Sequence, residues 1–337
     1  MPRVGMNPAR GQPSGYQPAR LTLAMLTYLP NQAGYFEQRF AVTRLSLESL
    51  IANTPQPHDL IVFDNGSCPE LVDYLRRLRD EGHIQYLVLS SSNIGKIGAL
   101  QIVCRTALGE IIAYSDDDVL FLPGWLDEHL KLLETYPKVG LVTGFYIRSH
   151  MRYGTQTIRA FAERPDVKTE QGLLIPRELE QHYIDNMGRT WETYQQEVDG
   201  LEDLHLTYHG VEALASAGHH QFVAPRQVLL EAMPAEWSGQ LMGKVRELEV
   251  TIDQLGYLRL STCQPVTHLL GNVISAENAA EAARMGLSTE SDGPDHRGRL
   301  LKPSSGRQNR PPGLYRIPIV RRLALAIYNR LHTVINS

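Results

Sequence analysis

The sequence has few cysteines and no long apolar run, and both absences exclude classes of protein. Its three cysteines, Cys68, Cys104 and Cys263, lie far apart and lack the spacing of metal ligands or of a redox pair. Scattered cysteines in odd number are typical of free thiols in a reducing compartment. No segment approaches the roughly 20 apolar residues that a membrane-spanning helix needs. We therefore expect a cytoplasmic protein that is not integral to a membrane.

Acidic residues are scarce at the end of the chain. Residues 284–337 hold ten Lys and Arg against three Asp and Glu, a net charge of +7. The whole chain has 33 basic and 37 acidic residues, which leaves 23 against 34, or −11, for residues 1–283. A basic tail attracts anionic partners such as phospholipid head groups or nucleic acid, and a merely solvated tail is the alternative.

The two ends of the chain differ in pattern from its middle. Residues 1–20 lack apolar periodicity, which predicts a disordered leader. Residues 286–313 are polar and rich in Gly, Pro, Ser and Arg, as in a linker. Residues 314–337 predict an amphipathic C-terminal helix, whose apolar stripe is Val320, Leu323, Ile327, Leu331 and Val334. Such a helix suits an anionic membrane surface, and packing on the protein or a homo-oligomer contact is the alternative. We expect no nucleic acid partner.

Residues 21–146 alternate short β-rich runs with segments of helical periodicity. The predicted strands are Leu21–Tyr28, Asp59–Asp64, Ile84–Leu89, Glu110–Tyr114 and Val139–Tyr146. The predicted helices are 36–53, 69–81, 96–108 and 124–135. This alternation predicts an α/β fold with a Rossmann-like, mostly parallel sheet and helices on both faces.

The following residues are less regular in pattern. Residues 150–220 lose the alternation and are rich in charged and aromatic side chains, so we expect an irregular, substrate-facing region. A strand and then a helix are predicted within 218–234, and a helix and then a strand within 244–260.

Polar side chains follow three successive predicted strands. Asp64 ends the second run, Asn93 and Lys96 follow the third, and Asp116-Asp117-Asp118 follows the fourth. Ligands of parallel sheets bind beyond the carboxyl ends of the strands. A turn or a helix cap explains each loop taken alone, so the signal is their recurrence at three strand ends.

The acidic triplet has a second property, which is mutual repulsion. Three adjacent carboxylates need a compensating positive charge. Alternate residues of an extended segment face the same way, so Asp116 and Asp118 can address one ligand. Mg²⁺ or Mn²⁺ takes carboxylate oxygens and keeps positions open for a diphosphate. An exposed turn before a helix is the alternative, but the neighbouring strand ends favour a metal.

Six segments follow one another along the chain: TYLPNQAGYFEQRFAVTRLSLESLIANT, DLIVFDNGS, SSNIGKIGALQIV and GEIIAYSDDDVLFLPGWLDEHL, and later GHHQFVAPR and LGYLRLSTCQPVTHLLGN. In order and spacing, the first four resemble the family 2 glycosyltransferases of the GT-A fold. The last two resemble the acceptor strand and terminal segment of that family. The resemblance covers residues 21 to about 272. It implies a nucleotide-sugar-binding half over 21–146 and an acceptor-binding half over 147–285.

The resemblance also implies an activity. It is the transfer of a sugar, with a hexosyltransferase as the expected class, from a nucleotide diphosphate sugar to the hydroxyl of a saccharide or lipid-linked acceptor. The reaction inverts the anomeric centre and depends on Mn²⁺ or Mg²⁺. Cell-envelope polysaccharide synthesis is the expected setting, with the protein cytoplasmic or peripheral on the cytoplasmic membrane.

Single residues acquire expected roles from the resemblance. The donor site is expected to comprise Thr27, Tyr28, Asp64, Asn93, Lys96 and Asp116, with Asp64 at the base and Asp116 near the ribose. The metal ligands are expected to be Asp118, His268 and Asp116. Glu247 is the expected general base, Glu249 is the other candidate, and a solvated helix face is the alternative for both. His219, His220 and Trp237 are expected at the acceptor.

Two other functions remain open at this point. A sugar nucleotidylyltransferase also combines an α/β nucleotide fold with a divalent metal, but it needs a Gly-rich basic loop after the first strand, where this chain has TYLPNQAGYF. A non-catalytic nucleotide-sugar-binding protein on the same fold is the second alternative, although it need not keep Asp116, Asp118 and His268.

Overall fold

The computed structural model describes residues 9–289. Its strands are β1 Leu21–Thr27, β2 Asp59–Asp64, β3 Tyr86–Leu89, β4 Ile111–Asp116, β5 Val119–Phe121, β6 Val139–Thr143, β7 Val167–Gly172, β8 Asp203–Tyr208, β9 Val211–Ala215, β10 Gln221–Pro225, β11 Leu258–Ser261 and β12 Thr267–Leu269. Its α-helices are α1 Arg39–Ala52, α2 Pro69–Asp80, α3 Lys96–Thr106, α4 Trp125–Thr135, α5 Gln156–Ala162, α6 Arg177–Asn186, α7 Trp191–Val198, α8 Arg226–Ala232, α9 Val245–Gln254 and α10 Ala276–Arg284.

The strand and helix alternation predicted for residues 21–146 is present, with bounds within a few residues of those predicted. Local signals explain the starts of several helices. Pro69 opens α2, where its missing N–H costs nothing, and Glu70 places a negative charge in the first turn. The short strand β5, directly after the acidic triplet, was not predicted.

Ten strands form one sheet in the order β3-β2-β1-β4-β10-β6-β11-β9-β8-β7. The first four are mutually parallel, and β10 enters antiparallel between β4 and β6. β11 is parallel to β6, and β9, β8 and β7 continue as an antiparallel meander. Seven strands therefore run one way and three the other, which confirms the mostly parallel α/β sheet. β5 and β12 pair separately.

Helices cover both faces of this sheet, as predicted. Alternate residues of β1 enter different cores: Leu23 and Met25 belong to one apolar cluster, and Ala24 belongs to the other. The first cluster receives apolar side chains from α1, α2 and α4, and the second receives them from α3, α8 and α9. Both faces of β1 are thus shielded from water, and its polar groups of interest lie at its end.

The expectation of an irregular region over residues 150–220 is wrong. These residues form α5, β7, α6, α7, β8 and β9, and the three strands extend the main sheet. Leu204 and Leu206 alternate on β8 and are buried, a period-two signal that the many charged and aromatic neighbours obscured. Buried ion pairs, rather than apolar residues alone, hold the segment together, and its composition therefore concealed its order.

The predicted ends of the chain are described only in part. Residues 1–8 of the predicted leader, residues 290–313 of the predicted linker and all of the predicted C-terminal helix lie outside the described residues. The described residues from Ala19 onward belong to one compact unit. Within the part of the chain that the structure describes, no helix is long and apolar enough to cross a membrane.

Candidate functional site

The carboxyl ends of β1, β2 and β4 meet at one edge of the sheet. Thr27 pairs with Asp64 in the β1–β2 register, and Leu26 pairs with Asp116 in the β1–β4 register. The antiparallel β10 brings its first residues to the same edge, because Gln221 pairs with Ser115. The polar loops predicted at the strand ends therefore lie side by side, and we call this place the carboxyl edge.

Asp64 is buried at this edge and organises the loop after β2. Its Oδ1 accepts hydrogen bonds from the N–H groups of Gly66 and Ser67 at 3.2 and 3.0 Å, and its Oδ2 accepts one from the Thr27 hydroxyl at 3.0 Å. Gly66 has a φ of +89°, and a Cβ there would lie 3.0 Å from the backbone of Ser92. The turn needs glycine at this position, and contact between Asp64 and a base stays a prediction.

Asn93 joins the loop after β3 to the loop after β2. Its Oδ1 accepts hydrogen bonds from Asn65 Nδ2 at 2.9 Å and from the Gly95 N–H at 2.8 Å. Asn65 Oδ1 in turn accepts the N–H of Ile94 at 2.8 Å. The two loops consequently hold one another in place, and the start of α3 is positioned by Asn93.

Asp116, the last residue of β4, is compensated by the protein's own charge. Lys96 Nζ lies 2.5 Å from Asp116 Oδ2, and the Tyr114 hydroxyl donates to Oδ1 at 2.7 Å. The Lys96 side chain is 4% exposed, whereas that of Asp116 is 27% exposed. Burial raises the pKa of Tyr114, and the charge of Asp116 adds to the effect, so this hydroxyl stays a donor.

Asp117 is the structural member of the triplet. It is buried, and it accepts hydrogen bonds from the backbone N–H of Tyr28 at 3.2 Å and from the Thr43 hydroxyl at 3.0 Å. Arg39 forms an ion pair with the same carboxylate. Asp117 thereby ties the end of β1 and the first turns of α1 to the end of β4.

Asp118 is the aspartate of the triplet whose negative charge is least compensated. Its side chain is 33% exposed, and its Oδ2 lies 3.1 Å from Nη1 of Arg39, which also donates to the Gly271 carbonyl at 2.8 Å. Burial raises the pKa of Asp118 to about 6, because Arg39 lowers it only in part and Asp116 and Asp117 add like charge. The triplet is not fully extended, since Asp117 and Asp118 form a turn between β4 and β5.

These contacts correct one step of the sequence interpretation. The three carboxylates depend on an external cation for only part of their compensation, because Lys96 and Arg39 supply two positive charges. The donor chemistry of Asp118 nevertheless fits a hard divalent ion, since its oxygen is accessible and its negative charge is under-compensated. A metal is thus compatible with Asp118, and the requirement for one is a proposal.

His268, in β12, lies on the strand that pairs with β5. Its register partner is Leu120, and its Nδ1 lies 3.3 Å from Asn278 Oδ1. Burial and the neighbouring His182 lower the pKa of His268, which favours the neutral ring that metals require. Within the described residues, one group of side chains could hold a metal ion together, and it consists of His205, Glu212 and Cys263. Asp118 and His268 do not form such a group there.

The two candidate bases in α9 have opposite environments. The Glu247 side chain is 62% exposed, and it lies 3.8 Å from Lys244. Glu249 is completely buried, with His219 Nδ1 2.8 Å from its Oε1 and Arg259 Nη2 3.5 Å from its Oε2. Burial opposes ionisation of Glu249, but the hydrogen bond from His219 and the charges nearby lower its pKa to about 2.

The three predicted acceptor residues do not all lie together. His219 and His220 directly precede β10, and the carbonyl of His220 accepts the N–H of Asp116 at 2.8 Å. Trp237 is 63% exposed in the loop before α9, and its Nε1 donates to the Ile94 carbonyl at 2.7 Å. The histidines therefore lie beside the acidic triplet, while Trp237 lies over the start of α3.

Arg39 and Arg259 are residues of this region that sequence reasoning missed. Arg39 is 78 residues from Asp117 in the chain, and Arg259 is 42 residues from Ala217, whose carbonyl it binds. No local pattern marks such partners. One signal was available for Arg259, since a charged residue stands within the otherwise apolar strand LRLS and must find a partner when buried.

Comparison with known families confirms the resemblance seen in the sequence. Residues 35–188 match the model of glycosyl transferase family 2. The matched range contains Asp64, Asn93, Lys96 and the acidic triplet, and it ends before β10, α9 and β12. The α/β architecture is that of the GT-A fold, as predicted. No curated protein matches the chain.

Several solved structures are similar to this chain at low identity. The mannosyltransferase PcManGT from Pyrobaculum calidifontis, in complex with GDP-Man and Mn²⁺, is 19% identical over 75% of this chain and 56% of its own, with a TM-score of 0.42. TarS 1–349 from S. aureus is 11% identical over 79% and 63%, with a TM-score of 0.44. Glucosyl-3-phosphoglycerate synthase from Mycobacterium tuberculosis, with Mn²⁺, UDP and glucosyl-3-phosphoglycerate, is 17% identical over 80% and 81%, with a TM-score of 0.40. The chain spans less than two thirds of the first two.

Proposed function

We propose that the protein transfers a sugar from a nucleotide diphosphate sugar to an acceptor hydroxyl, because residues 35–188 match the model of glycosyl transferase family 2. The observation that carries the proposal is the pair of accessible carboxylates, Asp116 and Asp118, at the carboxyl edge inside the matched domain. Nucleotides bind at this edge of parallel sheets.

The donor is proposed to lie across the ends of β1, β2 and β4. Asp64 with Thr27 forms the floor below the base, and Tyr28, held by Asp117, covers it. Asp116 reaches the ribose, and Lys96 places positive charge next to the diphosphate. This assignment uses the part of the Asp116 side chain, 27%, that stays exposed beside its contacts with Lys96 and Tyr114.

Asp118 is proposed to hold Mn²⁺ or Mg²⁺, with Asp116 and His268 as the other ligands predicted from the sequence. When bound, the ion would offset the negative charge of the departing nucleoside diphosphate. Arg39 would then release Asp118 while it keeps its ion pair with Asp117. Asp117 thus anchors the arginine whichever partner Asp118 has.

The transfer is proposed to be a single displacement with inversion. The acceptor hydroxyl must lose its proton as its oxygen attacks the anomeric carbon, and a positioned base takes that proton. Of the two candidates, Glu249 is proposed to belong to the proton-accepting group, because its partner His219 adjoins the carboxyl edge. Glu247, which the sequence analysis favoured as the general base, is the competing assignment.

The acceptor and the setting are proposed from the resemblance. A hexosyl group and a saccharide or lipid-linked acceptor are the expected substrates, with His219, His220 and Trp237 nearest to the acceptor. A lipid-linked acceptor would place the protein at the cytoplasmic membrane surface, where the basic tail would contribute to binding.

A hydrolysis screen of nucleotide sugars tests the proposal. The wild-type protein, supplied with UDP- and GDP-sugars, is expected to release the nucleoside diphosphate from one of them in the presence of Mn²⁺, and a chelator should abolish the reaction. Asp118→Asn should weaken Mn²⁺-dependent binding of that nucleoside diphosphate by tenfold or more in calorimetry, about 1.4 kcal/mol.

Asp127→Asn is the matched control, because Asp127 is an exposed aspartate in the first turn of α4. Its diphosphate binding should equal that of the wild type. Turnover that a chelator leaves unchanged would refute the metal assignment, and no release from any nucleotide sugar would refute the transferase.

A further inference from the structure

Two residues at the carboxyl edge form a hydrogen-bonded pair of unequal exposure. His219 Nδ1 lies 2.8 Å from Oε1 of Glu249. The Glu249 side chain is 0% exposed, and the His219 side chain is 27% exposed. Glu249 therefore has no surface that an acceptor can touch, whereas the imidazole of His219 has one.

The buried end of this pair is rigidly held. Arg259 is 1% exposed, approaches the second oxygen of Glu249 at 3.5 Å, and donates to the carbonyls of Ala217, Tyr153 and Gly154 at 2.8 to 3.1 Å. Its positive charge keeps Glu249 ionised and fixes the carboxylate. Since the pKa of Glu249 is lowered to about 2, this carboxylate is by itself a poor acceptor for a proton.

The loop that carries His219 is also held tightly. A Cβ at the preceding Gly218 would lie 2.1 Å from Cε1 of His150, so the loop packs directly on that ring. The following His220 is joined to Asp116 through its carbonyl at 2.8 Å. His219 is consequently fixed between the buried Glu249 and the acidic triplet.

From this geometry we infer that His219 is the general base of the transfer and that Glu249 is its positioning residue. The inference rests on the proposed function and deepens it. Glu249 accepts the Nδ1–H of the ring, which leaves the lone pair of Nε2 for the acceptor. In the described contacts, Nε2 of His219 makes no hydrogen bond. A histidine oriented by a buried carboxylate is an arrangement suited to taking a proton near neutral pH.

The proton and electron balance of the step is simple. The acceptor O–H gives its proton to Nε2 of His219 while its oxygen forms a bond to the anomeric carbon. The bond from that carbon to the diphosphate oxygen breaks, and its electron pair leaves with the nucleoside diphosphate. Glu249 stabilises the resulting imidazolium, which later returns its proton to water.

Several titratable or charged groups surround His219. They come from the 3-10 helix Arg148–Arg152 and the residue after it, from the loop before β10, from α9 and from β11: His150, Tyr153, His220, Arg246, Glu249 and Arg259. Burial lowers the pKa of His150 to about 4 and lowers that of His220, so both rings are neutral at pH 7. Glu249 is the anionic member of the set in direct contact with His219.

Donor hydrolysis, with water as the acceptor, tests the inference on the full-length protein. His219→Gln should lower kcat for the nucleotide sugar that the wild type hydrolyses by about 10² to 10⁴, while the Kd of its nucleoside diphosphate stays within twofold. Glu249→Gln should also lower kcat. In addition, the acidic limb of its pH profile should shift to lower pH by about one unit or more, because the ring has lost a negative neighbour.

The pair His83 and Glu81 supplies the matched control. Their side chains lie 4.0 Å apart in the turn after α2, and that of Glu81 is 53% exposed. His83→Gln and Glu81→Gln should retain the wild-type kcat and pH profile.

The outcomes separate the inference from the function on which it rests. Release of no nucleoside diphosphate by the wild type would overturn the proposed function. If the wild type hydrolyses the donor and His219→Gln does so equally well, only the inference is overturned. Loss of hydrolysis in Glu247→Gln would make that conclusion stronger. An unmoved pH limb in Glu249→Gln would reduce Glu249 to a structural residue and refute its positioning role.

Discussion

At the scale of single residues, the three adjacent aspartates differ because each meets a different partner. Asp116 pairs with Lys96, Asp117 is buried against Arg39, and Asp118 shares Arg39 while a third of its side chain stays exposed. Identical side chains thus differ in exposure and in the positive charge that each one meets. The alternation rule predicted that Asp117 would differ from its neighbours, although the turn at Asp117 and Asp118, and not an extended strand, produces the difference.

The residues that complete this cluster could not be predicted from the sequence. Arg39 stands in a helix in which an arginine is ordinarily solvated, and only the tertiary fold places it between Asp117, Asp118 and the Gly271 carbonyl. The strand-end positions of Asp64 and the triplet were predictable, because they follow directly from local strand patterns and the rule for parallel sheets.

His129 provides a prediction about pH at the residue scale. It is completely buried in α4, its Nδ1–H donates to the Trp125 carbonyl at 2.7 Å, and its Nε2 lies 3.1 Å from Nε2 of Gln221. Burial lowers its pKa to about 4, below the roughly 6.5 of an unfolded chain. The unfolded state therefore binds the extra proton between these values. The contribution of the neutral ring to the free energy of unfolding is fully present above about pH 6.5. It is lost as the pH falls towards 4, by up to about 3 kcal/mol.

Urea unfolding at several pH values between 4.5 and 8 measures this effect. His129→Gln removes one titrating group, so about one proton fewer is taken up on unfolding. The slope of the free energy of unfolding against pH should therefore be smaller than in the wild type. The variant should also be less stable at pH 7, because the hydrogen bonds of the ring are lost. His205→Gln, the same substitution at a partly exposed histidine, is the control. It separates the effect of a buried titrating group from a general loss of stability. Equal steepness in His129→Gln and the wild type would contradict the prediction.

At the scale of elements, residues 150–220 show where sequence reading failed. The strand β8 and the helix α6 are joined through Arg148, whose guanidinium contacts both Asp203 and Glu180. Asp203 also accepts the Tyr146 hydroxyl at 2.8 Å and the N–H of Leu174 at 2.8 Å. Charged residues that made the segment look irregular in the sequence are thus the centre of a packed segment. The partners in these contacts are 29 to 57 residues apart, beyond the range of any local pattern.

The parallel part of the sheet was predictable for the opposite reason. Each strand from β1 to β4 carries its own apolar run, and α2, between β2 and β3, has its own apolar stripe and a proline at its start. Right-handed crossovers then leave few ways to assemble such units. The position of β10 was not predictable in the same way, because an antiparallel insertion between β4 and β6 depends on long-range pairing.

Asp203→Asn tests the importance of the buried ion pairs. The change keeps the shape of the side chain but leaves Arg148, which is 6% exposed, without its main compensating charge. Removal of one partner from a buried pair typically costs about 3 to 5 kcal/mol. We therefore expect a loss of stability of about 3 kcal/mol in equilibrium urea unfolding at pH 7.

Glu212→Gln, on the neighbouring β9, is the control, since its side chain is 63% exposed and its loss should cost less than about 1 kcal/mol. A loss in Asp203→Asn no larger than in this control would show that the pair contributes little to the fold.

At the scale of the whole molecule, charge divides the chain unequally. Residues 1–283 carry −11 and residues 284–337 carry +7. An anionic surface therefore repels most of the protein and attracts only its tail. Each Lys or Arg near an anionic leaflet contributes on the order of 1 kcal/mol, so we expect a tail with a net charge of +7 to bind even when part of that energy offsets the repulsion.

The last prediction concerns the predicted C-terminal helix, which lies outside the described residues and rests on the sequence alone. Its apolar stripe, with Arg321, Arg322 and Arg330 beside it, is the pattern of a helix in a membrane interface. Full-length protein should sediment with vesicles that contain an anionic phospholipid at low salt, and it should remain in the supernatant with neutral vesicles.

Truncation to residues 1–313 should abolish sedimentation, although it keeps the arginines of the linker. Replacement of the three arginines by glutamine keeps the apolar stripe and should weaken binding strongly, and added salt should release the wild type, because the Debye length falls from about 10 Å at 0.1 M to about 3 Å at 1 M. Equal amounts of the full-length and truncated forms in the supernatant at low salt would assign the stripe to packing on the protein or to a contact between subunits.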